Sequence, residues 1–192
     1  MISLDRGEYS CDPYANVLWE SVLESEFSSK LIEWMKKDAP WALKETDFYQ
    51  QHEFSFLSID ESVPNWLKVL YSEDTLLYLR SCLEAHFEVV LAERTEVTAH
   101  RLTAGQVIKI HNDYIPGQET HRLLIQVNTS WCEEKGGLLM LFGSSSASDL
   151  KRIILPVSGS AFAFAISEES HHAVSRIVEG ERYTLVYSFY ET

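Results

Sequence analysis

Apolar positions in the first half of the chain recur at helical spacing. From Val17 to Met35 they return every three to five residues with Glu and Lys between them, which predicts amphipathic helices. Serines at positions 25–29 predict a break, because a serine hydroxyl can cap a second helix. Pro64 suits the first turn of a short helix over Pro64–Val69. The clearest helix is predicted over Glu73–Leu91, with Ser72 as its N-cap and a single apolar stripe.

After about residue 95 the pattern changes to short apolar runs separated by glycine-containing turns. The predicted strands are Val107–Ile110, Leu123–Val127, Leu138–Phe142, Ile153–Val157, Ala161–Ile166, Val174–Val178 and Tyr183–Tyr190. Many short strands with such turns are typical of an antiparallel barrel or sandwich. We therefore predict an α+β protein with its N-terminal helices packed on one sheet. We expect one domain over 1–192, with mainly helical support in 1–95 and a β core in 96–192.

Charge and cysteine content narrow the classes of partner and compartment. The formal net charge is −13 and no basic run interrupts it, which argues against nucleic acids and anionic membranes as partners. No apolar stretch is long enough to span a bilayer, and the first residues do not resemble a signal peptide. Cys11, Cys82 and Cys132 are widely spaced, so we interpret them as reduced thiols of a cytoplasmic protein.

The first candidate site is His111-Asn112-Asp113. On a regular strand, residues i and i+2 point to the same face, so the imidazole and the carboxylate would converge. This pair supplies two of the three ligands of the facial triad that holds non-haem iron. On the same assumption Lys109 would point at the mouth of the site, although a solvated lysine at a strand end is an equal alternative.

The second candidate site joins His172 to Arg182. A turn at Glu179-Gly180 would bring a returning strand back beside His172, with Arg182 and Thr184 on one face. A buried guanidinium is costly without an anionic partner, and a ligand carboxylate could accept two parallel hydrogen bonds from it. His171 is the rival of His172 as a ligand.

These motifs resemble the prolyl-4-hydroxylase-like branch of the iron(II)/2-oxoglutarate oxygenases over about residues 97–190. The matching segments are His111-x-Asp113, Arg122-Leu123-Leu124-Ile125-Gln126-Val127-Asn128, Gly136-Gly137-Leu138-Leu139, Pro156-x-x-Gly159, His172-x-Val174 and Gly180-x-Arg182-x-Thr184. The resemblance implies a double-stranded β-helix, the jelly-roll or cupin-like fold. It also implies iron(II), 2-oxoglutarate and dioxygen, and it allows for ascorbate as a reductant.

Carried over to this chain, the resemblance implies that His111, Asp113 and His172 are the iron ligands. Arg182, helped by Thr184, would bind the distal carboxylate of 2-oxoglutarate. Two tyrosines that commonly contact the co-substrate in the family are replaced here by Leu102 and Gln126, and Gln126 could still donate a hydrogen bond.

The remaining polar residues receive structural or open interpretations. His52, His86 and His100 lack a partner at ligand spacing, so we expect them to be structural. Arg122 either lines the pocket or forms a surface ion pair. The polar loop 114–120, which precedes His121, is expected to be mobile and to flank the substrate. Trp131 is expected in the core.

The resemblance implies a hydroxylase of an aliphatic C–H bond in a residue of a peptide or protein, with succinate and carbon dioxide as co-products. One alternative is a hydroxylase of a free amino acid or small metabolite. A second is a non-redox, cupin-like metal-binding protein, which the presence of Arg182 disfavours. A nucleic-acid demethylase of the superfamily would usually carry a second arginine where this chain has Ser188.

Overall fold

The computed structural model describes residues 2–192, apart from the side chain of Asp60. Twelve antiparallel strands in the described residues form two sheets. The strands are β1 (Glu8–Ser10), β2 (Asn16–Trp19), β3 (Ala42–Glu45), β4 (Gln50–Ser55), β5 (Leu91–Thr103), β6 (Ile108–His111), β7 (His121–Gln126), β8 (Leu139–Phe142), β9 (Leu150–Ile154), β10 (Ala161–Ala165), β11 (His172–Val174) and β12 (Glu181–Glu191).

The larger sheet has the order β1-β2-β10-β7-β12-β5-β4-β3, and the smaller one the order β6-β11-β8-β9. From β5 to β12 the strands alternate between the sheets, except for the hairpin β8-β9 in the smaller sheet, as in a double-stranded β-helix. The predicted α+β class with this core is therefore confirmed.

Two α-helices, α1 (Ser25–Lys37) and α2 (Glu73–Phe87), accompany the sheets. Helix α2 begins as predicted, since the Ser72 hydroxyl accepts a hydrogen bond from the Thr75 backbone amide. It ends earlier than predicted, because Glu88 adopts the left-handed conformation and Leu91 already begins β5. Four short 3-10 helices complete the chain: Leu57–Ser62, Asn65–Tyr71, Glu133–Lys135 and Ala147–Asp149.

The predicted helical pattern from Val17 to Met35 is wrong at its start. Asn16–Trp19 forms β2 and pairs with β10, and α1 begins only at Ser25. The residue before α1 is Glu24, whose side chain makes no capping hydrogen bond, so the predicted serine cap is also wrong. A four-residue strand with three buried side chains has no alternation to display, and its apolar residues fit a helical period by chance.

The N-terminal part also contributes β3 and β4, which the predicted helical support did not include. Strand β3 is exposed throughout, and β4 is mostly polar. Neither strand shows the apolar alternation that sequence patterns detect.

The predicted strands of the second half occur in order, with two shifts. Strand β11 covers His172–Val174 rather than Val174–Val178, and Ile177 reaches the core from a segment outside the strand. Strand β9 ends at Ile154, two residues before Pro156, whose nitrogen cannot donate to a sheet.

Apolar residues form two clusters. One lies between the larger sheet and the helices, and includes Leu31, Met35, Leu79, Leu83 and Tyr187. The other draws on both sheets through residues such as Leu102, Leu139, Phe162, Phe164 and Val174, with Trp131 packed against it. None of the described helices combines the length and apolar character needed to cross a membrane.

Candidate active site

A cavity of about 270 Å³ is lined by residues of both sheets. The larger sheet contributes side chains from β3, β4, β5, β7 and β12, and the smaller sheet contributes His111, His172 and their neighbours. A larger cavity of about 870 Å³ lies beside the N-terminal segment and the start of α2, but no histidine lines it. The metal ligands predicted from the sequence therefore lie in the wall of the smaller cavity.

His111, Asp113 and His172 meet in this cavity, with ligand atoms within 4.8 Å of one another. The Asp113 carboxylate lies between the two imidazoles, 3.4 Å from His111 Nε2 and 3.1 Å from His172 Nε2. Two imidazoles and one carboxylate are the donor set of non-haem iron sites that keep coordination positions open. The residues present therefore fit an iron(II) ion.

The two imidazoles are oriented by the backbone. His111 Nδ1 lies 2.9 Å from the Lys109 carbonyl oxygen, and His172 Nδ1 lies 2.8 Å from the Ser170 carbonyl oxygen. Donation from Nδ1 to these oxygens leaves each Nε2 free as an acceptor for a metal. Burial also lowers the pKa of His172, which favours its neutral, ligating form. His171 does not line the cavity; its Nδ1 lies 3.3 Å from the Glu169 carbonyl oxygen.

His111 and Asp113 converge for a reason other than regular strand alternation. The register between β6 and β11 shifts, since His111 pairs with His172 and Ile108 with Val174, so three residues of β6 span two of β11. Asp113 lies beyond the strand in the left-handed conformation, with φ of 59°, which aspartate tolerates better than most residues.

The same bulge decides between the two alternatives for Lys109 in favour of a solvated lysine. Ile108 and His111 face the cavity, whereas Lys109 is exposed and donates to the Asp47 carbonyl oxygen at 3.1 Å. A bulged strand re-aims its side chains, so the assumption of a regular strand failed here.

Arg122 joins two carboxylates at the cavity. It donates to Asp113 and forms a two-point pair with Glu119, with the Nε–Oε1 distance at 2.9 Å. Burial alone would raise the pKa of the Asp113 carboxyl, but Arg122 and the hydrogen bonds from His111 and His172 hold that pKa far below its usual range. Of the two interpretations left open for Arg122, the structure shows the cavity-lining one.

Arg182 lines the cavity and is only 4% exposed. Among the described residues no carboxylate pairs with it, and its Nε has no hydrogen-bond partner. Burial lowers the pKa of its guanidinium to about 10, so it remains charged at neutral pH. A buried cation without an anion is unfavourable, and an anionic ligand such as a carboxylate would compensate it.

Thr184 also lines the cavity, beside Arg182 on β12. Its hydroxyl donates to Gln126 Oε1 at 3.1 Å. Gln126 is buried behind Thr184 and is absent from the cavity wall, so here it holds the threonine hydroxyl. Leu102 is buried in the apolar cluster between the sheets.

Sequence reasoning missed His100. It pairs with Thr184 across the sheet and lines the same cavity. Burial lowers its pKa to about 4, so its ring is neutral at pH 7. Strand alternation with Arg101 and Leu102 on β5 could have indicated the face, but only once the pairing with β12 was known. His52, His86 and His121 lie outside the cavity wall.

Fold and donor set together define a double-stranded β-helix with a two-histidine, one-carboxylate centre. Residues 97–190 match the family model of the 2OG-Fe(II) oxygenase superfamily, and the chain belongs to this superfamily through that segment. It is a 2-oxoglutarate-dependent iron dioxygenase, an enzyme class that uses iron(II), 2-oxoglutarate and dioxygen. The non-redox, cupin-like alternative is thereby set aside.

Solved structures of prolyl hydroxylases share the fold. A prolyl-4-hydroxylase from Pseudomonas putida superposes with a TM-score of 0.74 at 18% identity, covering 92% of each chain. A Trichoplax adhaerens prolyl hydroxylase in complex with a hypoxia inducible factor peptide fragment gives 0.69 at 11% identity, covering 92% of this chain and 83% of that one.

A viral collagen prolyl hydroxylase from Paramecium bursaria Chlorella virus-1, in complex with 2-oxoglutarate, gives a TM-score of 0.64 at 16% identity, covering 93% of this chain and 97% of that one. At these identities the likenesses establish the fold alone. No curated protein matches the sequence of this chain.

Proposed function

We propose that this enzyme hydroxylates an aliphatic C–H bond of an amino-acid residue in a peptide or protein, releasing succinate and carbon dioxide. His111, Asp113 and His172 would hold iron(II), and Arg182 with Thr184 would hold the distal carboxylate of 2-oxoglutarate. The observation that carries the proposal is the buried Arg182, which has no carboxylate partner within the described part of the chain and lines the cavity that also contains the triad. Of the enzymes with a similar fold, one was solved in complex with a peptide fragment and another is a collagen prolyl hydroxylase, which supports a peptide substrate.

The protein residues would bind and orient the reactants. The two Nδ1–carbonyl contacts keep the imidazoles in position, and Arg122 holds one oxygen of Asp113. His100 is neutral, and Arg122 and Lys44 are paired with carboxylates, which leaves Arg182 as the cation available to a ligand carboxylate. When bound, iron(II) would supply the activation of dioxygen, whose two oxygen atoms would end in succinate and in the new hydroxyl group as 2-oxoglutarate loses carbon dioxide.

A free amino acid or small metabolite is the second candidate substrate, and the cavity size is compatible with it. Ligand cavities usually measure about 300–1,000 Å³, so about 270 Å³ leaves room beside 2-oxoglutarate for little more than one side chain. That limit accommodates either a side chain presented by a peptide or a free amino acid. We also propose a cytoplasmic location, in keeping with the three free cysteines.

The adjacent histidines offer a matched test of the ligand assignment. His172→Ala should lose stoichiometric binding of iron(II), or of manganese(II) as a surrogate, and should lose succinate release. His171→Ala should retain metal and at least part of the activity, because its side chain is outside the cavity. Metal content and succinate release, screened over amino acids and peptides, are the measurements. Retention of metal by His172→Ala together with its loss in His171→Ala would show that the ligand has been assigned to the wrong histidine.

A further inference from the structure

Three alternate residues, one just before β4 and two within it, line one wall of the cavity. Tyr49, Gln51 and Glu53 face the cavity, whereas Gln50 and His52 do not. This follows from strand geometry, since residues i, i+2 and i+4 share one face. Tyr49 lies immediately before β4 and forms a bridge with Ile108, so this wall adjoins the strand that carries His111.

Gln51 presents an acceptor without a donor. The residue is 3% exposed, and its Oε1 has no hydrogen-bond partner among the described residues. Its Nε2 donates to Glu53 Oε2 at 3.0 Å and lies 3.3 Å from His100 Nδ1. Since Glu53 can only accept, the amide orientation is fixed by its neighbours. A buried acceptor left unpaired is unfavourable, so this amide lacks a donor that the described residues do not supply.

Glu53 already holds an ammonium group. Lys44 Nζ lies 2.8 Å from Glu53 Oε1, and the hydrogen bond to Glu53 is the main reason that the pKa of Lys44 is raised, with a smaller contribution from the Tyr49 hydroxyl. The position thus accommodates a cationic nitrogen between a carboxylate and a tyrosine. The Lys44 side chain is 53% exposed and that of Glu53 is 23% exposed, and ion pairs that water reaches contribute little net stability. A ligand ammonium could therefore displace it.

Strand pairing gives the distance between Glu53 and the proposed 2-oxoglutarate site. Glu53 pairs with His100, and His100 pairs with Thr184, so Glu53 lies two strands from the residue beside Arg182. Two strand spacings amount to about 10 Å. A long side chain bound at Glu53 would extend across the cavity towards the triad.

We propose that Tyr49, Gln51 and Glu53 form a subsite for a cationic nitrogen of the substrate, as on a lysine-like side chain. Lys44 occupies the subsite when no substrate is bound. The inference rests on the proposed function, and it names the substrate class as one with an ammonium group separated by an aliphatic chain from the rest of the molecule. The acidic character of the chain, with a net charge of −13, would favour the approach of such a ligand.

The experiment uses the full chain loaded with manganese(II) and 2-oxoglutarate, and measures the binding of lysine and of norleucine, which lacks the ammonium group. Each side chain is tested both as the free amino acid and within a blocked peptide, so that the two sources of the same group are distinguished. Wild type should bind the lysine form of one source at least tenfold more tightly than the norleucine form.

Two variants should shift this preference in opposite directions. Glu53→Gln removes the anion and should lower lysine affinity at least tenfold, whereas Lys44→Met removes the competing ammonium and should raise it. Glu45→Gln is the matched control, because it removes an equal charge from the neighbouring strand without touching the cavity wall; it should leave the preference unchanged. A merely structural pair of Lys44 and Glu53 would instead make both variants change binding in the same direction.

Equal affinity for lysine and norleucine in both sources would overturn the inference, as would a lysine preference that Glu53→Gln leaves intact. Binding of 2-oxoglutarate without any amine is measured in the same preparations. If it persists while the lysine preference is absent, the subsite alone is wrong. If 2-oxoglutarate does not bind, the proposed function itself fails.

Discussion

At the scale of single residues, Arg122 compensates the negative charges of two carboxylates that would otherwise repel each other. Asp113 and Glu119 are both pulled onto one guanidinium, and the loop between them is thereby tied to β7. Removing Arg122 would leave Asp113 held only by the two histidines. Loss of such outer partners typically weakens metal binding by about 10–100-fold. The residue that we could not place from the sequence thus supports the candidate metal site.

His121 gives a prediction on pH dependence. It is 4% exposed and packs on Phe87, with ring centroids 4.9 Å apart. Burial lowers its pKa from 6.5 to about 4. Between these values the unfolded chain binds more protons than the folded one, so stability falls as pH decreases from about 6.5 to 4.

The expected loss from His121 is on the order of 2 kcal/mol at pH 5. His121→Gln does not titrate, so its unfolding free energy should fall by about that much less than that of wild type between pH 7 and pH 5. The measurement is urea unfolding of metal-free protein at the two pH values. His100 contributes equally to both proteins and cancels in the comparison. Equal pH dependence in the two proteins would refute the role of His121.

Among secondary-structure elements, the turn before β8 shapes the pocket around Arg182. Gly137 has φ of +66°, and an added Cβ would lie 2.6 Å from Ile177 Cδ1, 3.0 Å from Arg182 Cδ and 3.2 Å from Trp131 Cζ2. The glycine therefore allows the backbone to approach the stem of the arginine. Trp131, which we expected in the core, is partly buried against the apolar cluster and also lies beside Gly137.

Gly137→Ala should weaken 2-oxoglutarate binding about tenfold or more, because the methyl group must displace Arg182 or its neighbours. Metal binding should persist. Gly105→Ala is the matched control: φ is +91° there, but no atom lies within 4 Å of the added Cβ. Both variants should lose about 1–3 kcal/mol of stability from backbone strain, and only Gly137→Ala should change the dissociation constant. Similar 2-oxoglutarate affinities in both variants would contradict this account of the turn.

Predictability from the sequence differed between elements for physical reasons. Strands β7, β10 and β12 were located because their apolar runs face cores. Strand β4 was missed because its inner face lines a polar cavity, and so it carries Gln51 and Glu53 there, with Tyr49 just before the strand, instead of a run of apolar residues. The side chains that we propose to select the substrate are thus the polar residues that replace the apolar pattern by which a strand is predicted.

For the whole molecule, the site depends on the meeting of two sheets. The triad stands on the smaller sheet and its margins, while Arg182, Thr184 and His100 stand on the larger one. Strand spacing predicted that His111 and Asp113 would converge, the family resemblance implied His172 as the third ligand, and the structure brings the three together. The sequence could not predict the bulge in β6 or the neighbours of Arg182, since both depend on pairing between strands distant in sequence.

The central claim is that Arg182 binds the distal carboxylate of 2-oxoglutarate beside an iron(II) held by the triad. The direct measurement is an anaerobic titration of iron-loaded protein with 2-oxoglutarate, followed by the metal-to-ligand charge-transfer absorption. Each charge-assisted hydrogen bond lost costs about 1.5–3 kcal/mol, so Arg182→Ala should raise the dissociation constant at least tenfold to a hundredfold. Arg182→Lys should recover only part of this, because an ammonium group lacks the planar fork. Iron should remain bound in both variants. An unchanged dissociation constant in Arg182→Ala, or the absence of 2-oxoglutarate binding in wild type, would contradict the account.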